Sequence, residues 1–218
     1  MNRLTLLAAL AIAAPLAAQS KDATRAVASA PLPAGWMMKM DPGSESMTAK
    51  FVKTQSGYQV TSGGAAIYWN PADAQANDKF TMMADFQQMQ KNVGHGDHGE
   101  AFGLFVGGHS LDDPAKQTYY YFLVRQDGMF LINHRAGKDV HKIVDWTANP
   151  AIVKFDAKPN AANGLEIRAG LDSIRFAVNS TVVYALPRKN IDLSGQAGIR
   201  VNHNLDVKVW NYMAMKGT

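Results

Sequence analysis

The chain has 218 residues, no cysteine, 47% hydrophobic residues and a formal net charge of +4. That length and apolar content suit one packed domain and exclude an intrinsically disordered chain. The lack of cysteine rules out disulfide scaffolds, cysteine–zinc sites and thiol catalysis, and the dilute basic charge, with no dense Lys/Arg run, argues against nucleic acid as a partner.

At the start of the chain, Arg3 precedes an apolar stretch from Leu4 to Ala14, and Ala17 and Ala18 follow the helix-breaking Pro15. This layout predicts a secretory signal peptide over 1–18, removed on export, and a periplasmic or secreted protein with no membrane insertion afterwards. The apolar core is shorter than the roughly 20 residues that a membrane-spanning helix needs. Residues 19–34, rich in Ala, Ser and Pro, read as a flexible leader, and 35–218 as a single domain.

Within that domain the hydrophobic period is two. Strands are predicted at 47–53 and 65–70, and over 79–89 Phe80, Met82, Ala84 and Phe86 alternate with Thr81, Met83, Asp85 and Gln87. His95, Asp97, His98 and Glu100 form the densest group of metal-capable side chains. They stand in a Gly-rich stretch with no second half-site, so a loop without a metal is expected. The strands at 101–108, 119–126 and 129–135 are apolar or aromatic on both faces, which makes them central, with the second face under loops or along a ligand groove. Asp127-Gly128 predicts a hairpin between the last two. A strand at 140–146 follows, then half-buried strands at 165–169 and 174–178, with Asn179-Ser180 turning into a strand at 181–183. Strands at 197–202 and 207–213 close the chain, and no helix of useful length is expected after the leader. The eleven methionines raise soft-metal chemistry. However, Met82 and Met83 lie in an alternating strand and Met37, Met38 and Met40 lack a Met-x-x-Met repeat, so they read as packing residues. No cofactor is expected.

About eleven to thirteen short strands of this kind imply an all-β, two-sheet antiparallel jelly-roll sandwich. The segments Asn163-Gly-Leu-Glu-Ile-Arg168, Asp172 to Asn179, Leu193 to Arg200 and Val207 to Tyr212 resemble the concanavalin A-like lectin/glucanase superfamily. The likeness is strongest to its laminin-G-like and 3-keto-disaccharide hydrolase-like domains, over residues 79–215. It implies the fold, and a glycan or small sugar as the partner class. The Glu-x-Asp-x-Glu strand of family-16 glucanases is missing: Glu45, Glu100 and Glu166 are the three glutamates, far apart in sequence. Retaining hydrolysis needs two carboxyls about 5–5.5 Å apart, and no such pair presents itself.

If Asp127-Gly128 closes a two-residue turn, Tyr120 pairs with Arg135 and Tyr121 with His134. One face then carries Tyr120, Phe122, Asn133 and Arg135. With Asp85 and Gln87 these would line a sugar groove on the concave sheet, while Tyr119, Tyr121, Phe130, Ile132 and His134 would turn to the core. A slip of one residue swaps the faces. Three functions remain open: a sugar-binding module without turnover; a sugar hydrolase using Asp85, His109 or His134 as acid or base; and an envelope protein that seats a peptide or another subunit.

Overall fold

A computed structural model describes residues 31–90, 100–155 and 161–217. In chain order the strands are β1 (Met37–Met40), β2 (Ala49–Lys53), β3 (Tyr58–Ser62), β4 (Ala66–Trp69), β5 (Phe80–Gln88), β6 (Ala101–His109) and β7 (Thr118–Arg125). Then come β8 (Met129–Ala136), β9 (Asp139–Ala148), β10 (Ala162–Ala169), β11 (Ser173–Val178), β12 (Thr181–Pro187), β13 (Gln196–Val201) and β14 (Leu205–Lys216). The helical content of the described residues is one 3₁₀ turn, Pro71–Asp73.

The strands form two seven-stranded sheets. Sheet I runs β1-β4-β13-β6-β7-β8-β9 and sheet II runs β12-β11-β10-β5-β14-β3-β2, with every pairing antiparallel. The architecture is the all-β two-sheet sandwich that the alternation predicts. β5 shows why: Phe80, Met82, Ala84 and Phe86 are buried, while Thr81, Met83, Asp85 and Gln87 are half-exposed on the other face. Burying such a side chain contributes about 1.5–3 kcal/mol, so a one-residue slip along β5 would forfeit the whole set. Phe86 stacks on Phe102 at 5.4 Å and Phe122 meets Phe176 edge-on at 5.5 Å, which ties the sheets together through the core.

Two strands, β1 and β3, carry no alternation strong enough to announce them; both are short and pair with better-defined neighbours. The turn at Asn179-Ser180 forms as expected. Both residues have positive φ, 50° and 66°, and Val178 pairs with Thr181 across them, as a two-residue primed turn requires.

The Asp127-Gly128 hairpin differs by one residue. Val124 pairs with Phe130, Tyr121 with Asn133, Tyr120 with His134 and Tyr119 with Arg135. Gln126 joins the turn, the Gly128 amide donates to the Arg125 carbonyl at 3.1 Å, and Gly128 has φ 88°. This is a three-residue loop with a glycine bulge. Arg125 reinforces it, donating from Nε to both Asp127 carboxylate oxygens at 2.8 and 2.9 Å.

Sheet I has a second, outer layer of apolar side chains. Ile67, Trp69, Phe105, Tyr119, Tyr121, Leu123 and Leu131 cluster there, on the face away from the main core. Gly198 makes room for it, because a Cβ there would run into the Tyr68 carbonyl and come within 2.6 Å of the Phe105 ring. Gly198→Ala is therefore expected to destabilise by about 1–3 kcal/mol, the range for overpacking. Thermal melting against the parent protein checks this.

Candidate functional site

The register settles which side chains share a face. Asn133 and Arg135 lie on the outer face of sheet I with Tyr119, Tyr121, Phe105 and Trp69. Tyr120 does not join them. It is half-buried on the core side, packed against the inter-sheet cluster and stacked on His134 at 4.3 Å. Asp85 and Gln87 do point outward, but from sheet II, where Asp85 accepts from Asn211 Nδ2 at 2.6 Å. The expected five-residue groove is thus divided among three places: Asn133 with Arg135 outside sheet I, Asp85 with Gln87 outside sheet II, and Tyr120 on the core side. Two causes separate the set: the extra turn residue inverts Tyr120 relative to Asn133 and Arg135, and β5 hydrogen-bonds to β10 and β14 in the opposite sheet.

Around Asn133 and Arg135 the outer face has a charged centre. Arg200, next to Ile67 on β4 and Gly103 on β6, is buried. Its Nη2 meets the Asp41 carboxylate at 2.5 Å, and its Nη1 donates to Asp41 at 3.0 Å and to the Tyr119 hydroxyl at 2.9 Å. The guanidinium also lies 5.0 Å from the centre of the Tyr121 ring. Burial alone would raise the Asp41 carboxyl, but the charge and hydrogen bonds of Arg200 outweigh it, so Asp41 stands below its ordinary value. Burial pushes the Tyr119 hydroxyl up, although Arg200 opposes it. Asp41 is thus an anion and Tyr119 a neutral phenol at physiological pH.

Asn133 Nδ2 donates to the Tyr121 hydroxyl at 3.0 Å, yet its Oδ1 is buried with no hydrogen-bond partner. Arg135 Nε, Arg200 Nε and Gln196 Oε1 share that condition. All four residues belong to sheet I strands and alternate away from the core, so one face collects two donors and two acceptors unmet by protein groups. An unmet buried polar atom costs about 1–3 kcal/mol, so such a concentration needs an explanation. Arg135 and Gln196 are half-exposed at one end of the face, and Trp146, packed on the same cluster, is half-exposed on β9.

Reasoning from sequence passed over Arg200 and Asp41. An arginine in the otherwise apolar Ala197-Gly-Ile-Arg-Val201 was a visible signal, but its partner lies 159 residues away. The candidate acids and bases do not assemble. His109 turns one nitrogen, Nε2, toward both Ser194 (3.5 Å) and Asp192 (3.9 Å), whereas a relay needs both ring nitrogens. His134 is wedged between Tyr120 and His141, and burial followed by the His141 charge lowers its pKa. The stretch 91–99, with His95, Asp97 and His98, lies outside the described residues; Glu100 accepts from the His203 amide at 3.2 Å. No three His, Asp or Glu side chains converge among the described residues.

The fold is an all-β, two-sheet antiparallel sandwich that matches concanavalin A-like and galectin-like structures. Among solved structures it is similar to the carbohydrate-binding module CBM66 from Bacillus subtilis, with TM-score 0.61 and 15% identity over 84% of this chain and 96% of that one. It is also similar to a protein of unknown function with a galectin-like fold from Bacillus subtilis, with TM-score 0.59 and 12% identity over 83% and 89% of the two chains. A third is the β-glucanase of Bacillus licheniformis, with TM-score 0.56 and 9% identity over 86% and 95%. At such identities the likeness is one of fold. No family model and no curated protein matches the sequence.

Proposed function

We propose that the chain is an exported, non-catalytic carbohydrate-binding protein that holds a sugar on the outer face of sheet I. The observation that carries this reading is the set of unmet polar atoms, Asn133 Oδ1, Gln196 Oε1, Arg135 Nε and Arg200 Nε, beside the Tyr119, Tyr121 and Trp69 rings. A sugar hydroxyl both donates and accepts, and the C–H face of a pyranose packs on an aromatic ring such as the half-exposed Trp146, which rests on the buried Tyr119, Tyr121 and Trp69 layer, so a hydroxyl-rich ring matches both the polar atoms and that ring. Arg135 and Gln196, half-exposed, provide the entrance.

Two further points support binding over turnover. The carboxylate at this face, Asp41, is held as an anion in its bridge to Arg200 and is therefore a poor general acid. The similar structures include a carbohydrate-binding module, although the likeness to a β-glucanase and the resemblance to 3-keto-disaccharide hydrolase-like domains keep hydrolysis as the competing outcome. The test is a panel of cell-wall and plant oligosaccharides, read by calorimetry for binding and by release of reducing or keto sugar for turnover. Saturable binding without release is expected. Release of product would establish the hydrolase instead, and a panel with no binding would overturn the sugar reading in favour of a peptide or subunit partner.

A further inference from the structure

The outer face of sheet II, on the opposite side of the sandwich, carries a different group of side chains. Met83 on β5 pairs directly with Met213 on β14, and Met215 lies two residues further along β14. All three point away from the core. Between them, Ala214 pairs with the fully buried Met82 and packs against the interior, while Met213 and Met215 are 41% and 44% exposed and Met83 is half-exposed. A backbone irregularity between Trp210 and Met213, with Asn211 at φ 49°, sets this phase; without it β14 would turn the other set outward.

Apolar side chains on a solvated strand face are usually scattered singly. Here three thioethers are neighbours. Directly opposed residues have Cβ atoms about 4.5–5.5 Å apart and diagonal ones about 7–8 Å, both within reach of a methionine with three rotatable bonds. Beside them are Glu166, which pairs with Met83 across the strands and is salt-bridged to Arg168, and Asp85, which with Met83 and Glu166 lines a cleft of about 320 Å³. Thioether sulfur is a soft, uncharged donor that prefers Cu(I) over hard cations, and three such donors satisfy the low coordination number of a d¹⁰ monovalent ion.

We propose that Met83, Met213 and Met215 form a surface site for a soft monovalent metal ion, Cu(I) or its redox-inert analogue Ag(I). Asp85 places a carboxylate beside Met83, the charge of Glu166 being balanced by Arg168, and the open face lets the ion enter and leave. Binding is one ion per chain. It is independent of the sugar face, because the two sites lie on different sheets.

The experiment is a titration of the protein, ¹³C-labelled at the methionine methyls, with Ag(I) in chloride-free buffer. The methyl signals of Met83, Met213 and Met215 are expected to move together and saturate at one equivalent, while that of Met37, which is equally exposed on sheet I, stays in place. Met213→Leu with Met215→Leu keeps the apolar volume and removes two donors, and should weaken Ag(I) affinity by about tenfold or more. Cu(I) under anaerobic conditions should compete with Ag(I) for the same signals. The proposal is overturned if Met37 shifts in parallel with the three, if the three do not move, or if the double leucine variant binds as tightly as the parent protein. The methyl shifts of the unaltered protein decide the matter even if the variant folds poorly.

Discussion

Replacing Asp41 with alanine is expected to lower the stability of the protein by about 3–5 kcal/mol, the cost of leaving a buried charge unpaired. Arg200 is only 8% exposed at its side chain and Asp41 16%, so water cannot take over the role of the lost carboxylate. Unfolding of a chain of this size shifts by about 2–4 °C per kcal/mol, so the melting temperature should fall by roughly 6–20 °C. Lys142→Ala, which removes an ion pair exposed by about two-thirds on each side, is the control and should leave the melting temperature unchanged. A double variant, Asp41→Leu with Arg200→Met, separates charge from packing. It removes both charges, and should recover most of the loss if the unpaired guanidinium is its cause. The bridge also gives the protein a particular acid response. The folded Asp41 carboxyl lies below its ordinary 3.8, so its contribution is present above that pH and is lost as pH falls through the lower folded value. An acid melt of the Asp41→Ala variant should lack this component. If single and double variants melt alike, the bridge is not what stabilises the outer layer.

How far the sequence foretold this molecule depended on the range of the contacts involved. Strand alternation is local, and the inward set Phe80, Met82, Ala84 and Phe86 was legible because the pleat imposes it residue by residue. Asn179-Ser180 was legible for a similar reason, since both positions need positive φ and Asn tolerates it. Asp127-Gly128 was ambiguous. An Asp-Gly pair fits a two-residue turn and also the end of a three-residue turn with a glycine bulge, and these two solutions place opposite faces of β7 and β8 toward the core. In the longer loop the Arg125 side chain folds back onto Asp127 and over the Trp146 ring, a contact with no sequence signature. Asp85 and Gln87 fail for a different reason. Their outward direction follows from alternation, but membership of sheet II depends on β5 pairing with β10 and β14, strands far away along the chain. Arg168 shares the sheet II face with Asp85, since β10 places it opposite Thr81.

The same geometry explains why the two faces of the sandwich differ in chemistry. Sheet I is covered on its outer side by its own aromatic side chains, and its polar groups are driven into a low-dielectric layer where each unmet hydrogen bond is costly. Sheet II is open, with Thr81, Lys208 and Arg168 alternating against the core. A ligand that supplies hydrogen bonds therefore gains more on sheet I, whereas one that needs only exposed, uncharged donors gains on sheet II.

Arg135→Ala follows from this contrast as the sharpest test of the sugar face. Arg135 offers an Nε donor unmatched by any protein group, at the half-exposed end of the layer, two residues from the unmet Asn133 acceptor. A charged hydrogen bond contributes about 1.5–3 kcal/mol, so its loss should weaken binding of whichever oligosaccharide the panel identifies by more than tenfold. Folding should survive, because the altered side chain makes no ion pair with an acidic group and sits at the rim. Asn133→Ala should weaken the same ligand, with part of the effect coming through the freed Tyr121 hydroxyl. Arg168→Ala and Asp85→Ala, both on sheet II, should leave affinity unchanged, and Tyr120→Phe should do the same because that ring faces the core. Calorimetry on the five variants reads the outcome directly. If Asp85→Ala or Tyr120→Phe weakens binding as much as Arg135→Ala does, the ligand lies elsewhere on the sandwich and the unmet atoms of sheet I serve only the packing of its outer layer.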